Sequence, residues 1–179
     1  MENLIKTKTI QVATTYLQMT ECPEFEVTKK KMVNAVRLFQ PYLDYYKFLY
    51  QAVGKDLNWI DRLLMKDDEL SKYINSPKTE IYVFHVHGAP IGFCELDKKV
   101  KDEIEIVYFG LVPQFRGKGY GKYLLRRILM KAWSYKPDRV WLHTCELDHP
   151  IALQTYYKVG FEKYDQKMIE QRVPEDFVF

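Results

Sequence analysis

The stretch that most limits how this chain can fold is Glu103 to Lys122, reading E-I-E-I-V-Y-F-G-L-V-P-Q-F-R-G-K-G-Y-G-K. Ile104, Ile106, Val107, Tyr108, Phe109 and Leu111 are β-branched, aromatic or aliphatic, as a buried strand requires. Gly110 near its end predicts a bulge or a close backbone approach. Pro113 ends the ladder because it has no N–H to donate. Beyond the glycines, Tyr120, Leu124, Leu125, Ile128, Leu129, Ala132 and Trp133 recur at three- and four-residue steps, which predicts an amphipathic helix. Strand, glycine loop and helix start together make an anion site. The first helical N–H groups lack partners and carry partial positive charge, and glycines let an anion approach the backbone closely.

Spacing separates the known phosphate loops. A Walker loop needs Gly, four residues, then Gly-Lys and Ser or Thr. Here Gly121-Lys122 is followed by Tyr123, and Arg116 stands where the first glycine belongs. The dinucleotide fingerprint needs a third glycine three residues after Gly119, where Lys122 stands. The pattern left is Q-x-x-G-x-G, from Gln114 to Gly119.

Around this unit the chain reads as one α/β domain over residues 1–179. Residues 9–20 and 32–39 predict strands, and 21–31 a loop. Pro41 opens a helix through Val53, with Gly54 as its C-cap. Tyr42, Tyr45, Tyr46, Leu49 and Val53 form its apolar stripe. A short turn at Trp59 and a helix capped by Asp67 or Asp68 follow, through about Ile74. Residues 81–87 and 91–96 alternate as a hairpin about Gly88. Residues 140–145 predict a strand, Pro150 starts a helix that Gly160 caps, and 161–168 and 172–179 supply two last strands. The formal net charge of +3 is too small for a nucleic-acid footprint. No apolar run is long enough to span a bilayer, and Met1 to Lys6 has no signal-peptide core. Cys22, Cys94 and Cys145 are too few and odd in number for a disulfide framework, which fits a reducing cytoplasm. No Cys/His spacing suits a metal, and His85 and His87 read as edge residues of one strand.

A second constellation, Ala152 to Phe161, reads A-L-Q-T-Y-Y-K-V-G-F. It resembles the A-x-x-x-Y-x-x-x-G-F pattern of the GNAT N-acetyltransferases, and Q-x-x-G-x-G resembles their acetyl-CoA pyrophosphate loop. Leu111-Val112-Pro113 is similar to the V-x-P that precedes it. The likeness covers about residues 80–165 and implies the GNAT fold, a mixed twisted central sheet with helices on both faces. It also implies acetyl-CoA as cosubstrate without a metal, and an amine acceptor, small molecule or peptide. Neither nucleic acid nor membrane is expected as a partner, and the chain is expected as a monomer or homodimer. Residues 1–75 match only in outline, and there the family sets acceptor specificity.

Carried over by position, Phe109, Gly110 and Leu111 would offer strand backbone to the pantetheine arm. Gln114, Arg116, Gly117, Lys118, Gly119, Tyr120, Gly121 and Lys122 would form the pyrophosphate loop. Tyr156 stands where the family's tyrosine faces the sulfur. Where many members carry Asn, seven residues earlier, this chain has His149, flanked by Asp148 and Pro150.

Moving acetyl from a thioester to an amine needs a neutral amine, an oxyanion donor and a proton for the thiolate. Glu105 is the candidate base. The resemblance gives this strand position that role, and period two puts it beside Val107, Phe109 and Leu111, where a carboxylate is the stronger base. Glu103, Glu95, Glu146 and His143 are rivals. The N–H near Leu111 is the oxyanion donor, left unpaired by a bulge at Gly110. Tyr156 is the acid. Cys145, without a committed base, reads as inert. A non-catalytic acyl-CoA-binding module on the same fold is the alternative reading, and a nucleotide-binding protein a remoter one.

Overall fold

The computed structural model describes residues 5–24 and 30–178. Among these residues seven strands form one sheet: β1 Thr7–Met19, β2 Val33–Leu38, β3 Thr79–Val86, β4 Ala89–Asp97, β5 Glu103–Leu111, β6 Arg139–Cys145 and β7 Glu162–Pro174. Their order across the sheet is β2-β3-β4-β5-β6-β1-β7. Every pairing is antiparallel except β5 with β6. Among the described residues the α-helices are α1 Leu43–Gly54, α2 Asp61–Leu64, α3 Asp67–Ile74, α4 Tyr120–Trp133 and α5 Ala152–Tyr157.

Each face of the sheet carries its own core. On one face α4 and α5 bring Leu124, Leu125, Ile128, Leu129 and Tyr156 against Phe84, Ile104, Ile106 and Leu142. On the other, α1 and α3 bring Tyr46, Leu49, Tyr50, Val53, Leu70 and Ile74 against Ile81, Val83 and Phe93. Each such fully buried side chain contributes about 1.5–3 kcal/mol of apolar transfer. Because β3 is covered on both faces, it reads as a nearly unbroken apolar run. The buried stripe of α1 is Tyr46, Leu49, Tyr50 and Val53, and the expected member Tyr42 lies outside it at 83% exposure.

Several expectations are corrected. Gly54 is the last residue of α1 and lies at φ −98°, so it is no left-handed cap. Its missing side chain makes room for Trp59, whose Cβ would lie 2.5 Å from an added methyl. His87 is not a strand residue: with Gly88 it forms the two-residue hairpin turn, both at positive φ. One long strand, β7, replaces the two expected at the end, and it pairs with β1 from Thr7↔Pro174 to Gln18↔Glu162. The expected loop at 21–31 falls partly outside the described residues, as do the first four residues and Phe179.

Two irregularities of β5 shape the site. Glu95 pairs with Tyr108 and Leu96 with Ile106, so Val107 is an extra residue, a bulge. The bulge expected at Gly110 is therefore at Val107. Gly110 serves close approach instead, since a Cβ there would lie 2.4 Å from Val53 Cγ1 and 3.3 Å from Trp59 Cη2. Second, β5 and β6 pair only over Glu103–Glu105 and Arg139–Trp141, and no pairing continues beyond. Among the described residues, the second half of β5 thus has no strand hydrogen-bonded on its β6 side.

Candidate active site

A cleft of about 410 Å³ runs along that unpaired side. Its walls are Ile106 to Leu111 of β5, His143 and Cys145 of β6, and Tyr156 of α5. Gly117, Gly119, Gly121 and Lys122 of the loop also line it, as do Trp59, Asp61 and Gln171.

The loop end is built for an anion. Gly117 and Gly119 adopt φ of +72° and +76°, which side-chained residues rarely adopt, and nothing lies within 4 Å of where their Cβ atoms would be. The backbone is therefore open to a ligand. Gly119 directly precedes α4, whose first-turn N–H groups have no acceptor within the helix. Lys122 and Lys158 both line the cleft. Neither has an ion-pair partner among the described residues.

Other loop residues are structural in their contacts. Arg116 lines the cleft, but its guanidinium is committed: it donates to Leu111 O at 2.9 Å, to Val53 O at 2.8 Å and to both carboxylate oxygens of Asp56. It ties the loop to the end of α1, and hydrogen bonding from Arg116 lowers the Asp56 carboxyl below its usual range. Lys118 lies over the Phe115 ring, which also packs on Tyr120. Gln114 is exposed. Gln114, Lys118 and Tyr120 do not line the cleft.

Along β5, Val112 N–H donates to Ile91 O on β4. By the alternation of an antiparallel strand, Leu111 and Phe109 turn their N–H groups to the unpaired side. Leu111 thus offers a free donor by strand alternation and the end of the β5–β6 pairing, not by a bulge at Gly110. His149 lines the cleft and accepts from Ile151 N–H through Nδ1. Asp148 accepts from the Thr144 hydroxyl at 2.8 Å, from Cys145 N–H at 3.1 Å and from the Trp59 indole at 3.3 Å. Asp148 thus serves to join β6, the following turn and the α1–α2 segment.

Tyr156 is buried on α5, edge-on to Phe161. Its hydroxyl has no hydrogen-bond partner among the described residues, and burial, with Asp148 and Cys94 adding, raises its pKa far above the usual phenol range. It is a protonated phenol with its hydroxyl uncommitted, as a proton donor requires. Tyr157, on another side of the helix, is exposed. Burial, then Asp148, pushes the Cys145 thiol up to about 11, so little thiolate forms near neutrality.

The Val107 bulge also corrects the place of Glu105. Ile104, Ile106, Phe109 and Leu111 pack on the α4 side, whereas Tyr108 packs with the α1 cluster. Glu105, in alternation with Ile104 and Ile106, shares the Tyr108 face rather than that of Phe109 and Leu111. It does not line the cleft, and its Oε1 lies 3.6 Å from Nδ1 of His143, which does. Among the rivals, Glu103 pairs with Arg139 and Glu146 accepts from Ala13 N–H. Glu95 is fully buried and accepts from Tyr46, Tyr73 and Arg62. Of the aromatic rings in the 42–59 segment, Trp59 alone lines the cleft.

Residues 42–161 match the model of the acetyltransferase (GNAT) family. The chain belongs to the GNAT acetyltransferase family. Solved structures share this fold. A functionally unknown conserved protein from Staphylococcus epidermidis superposes with a TM-score of 0.62 at 16% identity, over 93% of this chain and 63% of that one. A GCN5-related N-acetyltransferase from Sphaerobacter thermophilus gives 0.62 at 17%, over 92% of this chain and 52% of the other. A GNAT-family protein described as an acetyltransferase, from Novosphingobium aromaticivorans, gives 0.61 at 15%, over 96% and 68%. This GNAT chain thus spans under two thirds of the first two structures' length. No curated protein matches it in sequence. Among the described residues, no helix of this GNAT domain is long and apolar enough to cross a membrane.

Proposed function

We propose that this GNAT protein is a cytoplasmic N-acetyltransferase that moves acetyl from acetyl-CoA to a primary amine by direct attack in a ternary complex. The observation that carries the reading is one continuous cleft, from the open glycine backbone before α4, along the unpaired edge of β5, to the Tyr156 hydroxyl. A diphosphate suits the loop and α4 N-terminus, with Lys122 and Lys158 as countercharges. A pantetheine amide suits the outward N–H and C=O of Phe109, pairing as a short added strand, which leaves Leu111 N–H for the thioester oxygen. With the thioester beside Tyr156, the amine lone pair forms the C–N bond and the carbonyl oxygen takes up negative charge near Leu111 N–H. As the C–S bond breaks, the Tyr156 hydroxyl gives its proton to the thiolate.

Calorimetry with acetyl-CoA, followed by a thiol-release assay over a panel of small amines and peptides, tests this. Expected are saturable binding and thiol release that depends on the amine. Binding without transfer to any amine would replace the reading with a non-catalytic acyl-CoA-binding module. No binding by folded protein would remove both.

A further inference from the structure

On the proposed acetyltransferase reading, we infer that the base is His143, with Glu105 as the residue that positions it. The geometry supports a division of labour. His143 lines the cleft at the point where β5 and β6 stop pairing, two residues beyond Trp141, the last residue paired in register with β5. Glu105 stands one strand away, at the last β5 position still paired, and does not reach the cleft. Its Oε1 lies 3.6 Å from Nδ1 of His143. With Nδ1 turned to the carboxylate, Nε2 is left for the substrate's proton, and it has no partner among the described residues. The Tyr16 ring from β1 supports the imidazole at 5.8 Å between centroids, and Lys167 of β7 lies over that same ring. Glu105 is the acidic group in reach of the imidazole, and Tyr16 the other titratable one packed on it.

The proton balance closes. The substrate ammonium loses one proton to Nε2 of His143, and Glu105 offsets the imidazolium charge. The neutral amine then attacks. The second N–H proton, lost as the amide forms, returns to the Tyr156 oxygen that protonated the departing thiolate. The imidazolium, whose side chain is 41% exposed, releases its proton to water.

The test compares His143→Ala, His143→Gln and Glu105→Gln with the parent protein, each first checked for acetyl-CoA binding and thermal midpoint. Expected is a fall in kcat of about 100-fold or more for both His143 variants, with acetyl-CoA affinity within about threefold of the parent. Added imidazole restores part of the turnover of His143→Ala. Glu105→Gln, which keeps the side chain's size and an acceptor oxygen beside Nδ1, lowers kcat by less than the His143 variants and leaves the KM for the amine within about threefold, as the loss of a positioning contact would. His143 variants within about threefold of parent turnover, or a Glu105→Gln loss equal to theirs at every pH, overturn the inference and leave the acetyltransferase reading standing. No thiol release by the parent protein with any amine removes both.

Discussion

Replacing Gly110 with Ala tests how α1 is seated on the sheet. The new methyl would lie 2.4 Å from Val53 Cγ1 and 3.3 Å from Trp59 Cη2. An ordinary carbon–carbon contact needs about 3.5–4.0 Å, so roughly 1–1.5 Å must be found. Val53 cannot simply turn away. It is fully buried, and a β-branched residue in a helix has one strongly preferred rotamer. The helix and strand must therefore separate, at a cost of about 2 kcal/mol for overpacking. For a chain of this length that lowers the thermal midpoint by roughly 4–8 °C. A calorimetric scan and urea titration measure it. The companion variant Val53→Ala removes the clashing methyl and leaves space for the one added on β5. The double variant should therefore be at least about 1 kcal/mol more stable than the two single losses predict. Gly110→Ala within about 0.5 kcal/mol of the parent, on the order of an ordinary surface change, would refute the reasoning, as would strict additivity.

Tyr156→Phe should lower kcat by about 100-fold or more while acetyl-CoA affinity and thermal midpoint change little, since the hydroxyl has no protein partner among the described residues. Steady-state kinetics beside calorimetry check it. Glu95→Ala leaves the buried Arg62 guanidinium, 13% exposed, without its carboxylate, and should cost about 3–5 kcal/mol by urea unfolding. Gly119→Ala forces a side chain onto φ +76°, costing about 1–2 kcal/mol and weakening acetyl-CoA binding. Glu80 gives a pH signature. Burial raises its pKa, but hydrogen bonds from Lys98, Tyr135 and Tyr82 outweigh that, and the net shift is downward from 4.5. A depressed carboxyl stabilises the fold above its unfolded value. That share is lost as pH falls through the folded one, so stability should drop below about pH 4.5. In Glu80→Gln this part of the decline, followed by urea midpoints from about pH 7 to 3, should be smaller.

Legibility followed locality. The glycine loop could be read because positive φ at Gly117 and Gly119 depends on those residues alone. So could the Tyr156–Gly160–Phe161 unit, where a helix face and its cap lie within six residues. The bulge at Val107 could not, because it is set by β4 pairing across the sheet, and with it went the face of Glu105. Gly110 signalled close approach, but Val53 and Trp59, which approach it, lie some fifty residues away in sequence. The Arg116–Asp56 clamp was hidden for the same reason: arginine in an anion loop reads as a ligand until its partner is known. The neighbour of His143 could be named only once the register of β5 on β6 was known.

The seat of β1 has a consequence for how the molecule is made. β1 pairs with β6 on one side and β7 on the other, segments that begin at Arg139 and Glu162. During synthesis β1 therefore waits for its sheet partners until Arg139–Cys145 and Glu162–Pro174 have left the ribosome. Such distant pairings are slow to form, and an unpaired strand invites association with other chains. Losing β7 would leave one edge of β1 bare while the other stays paired with β6, though β7 contributes only Gln171 to the cleft wall.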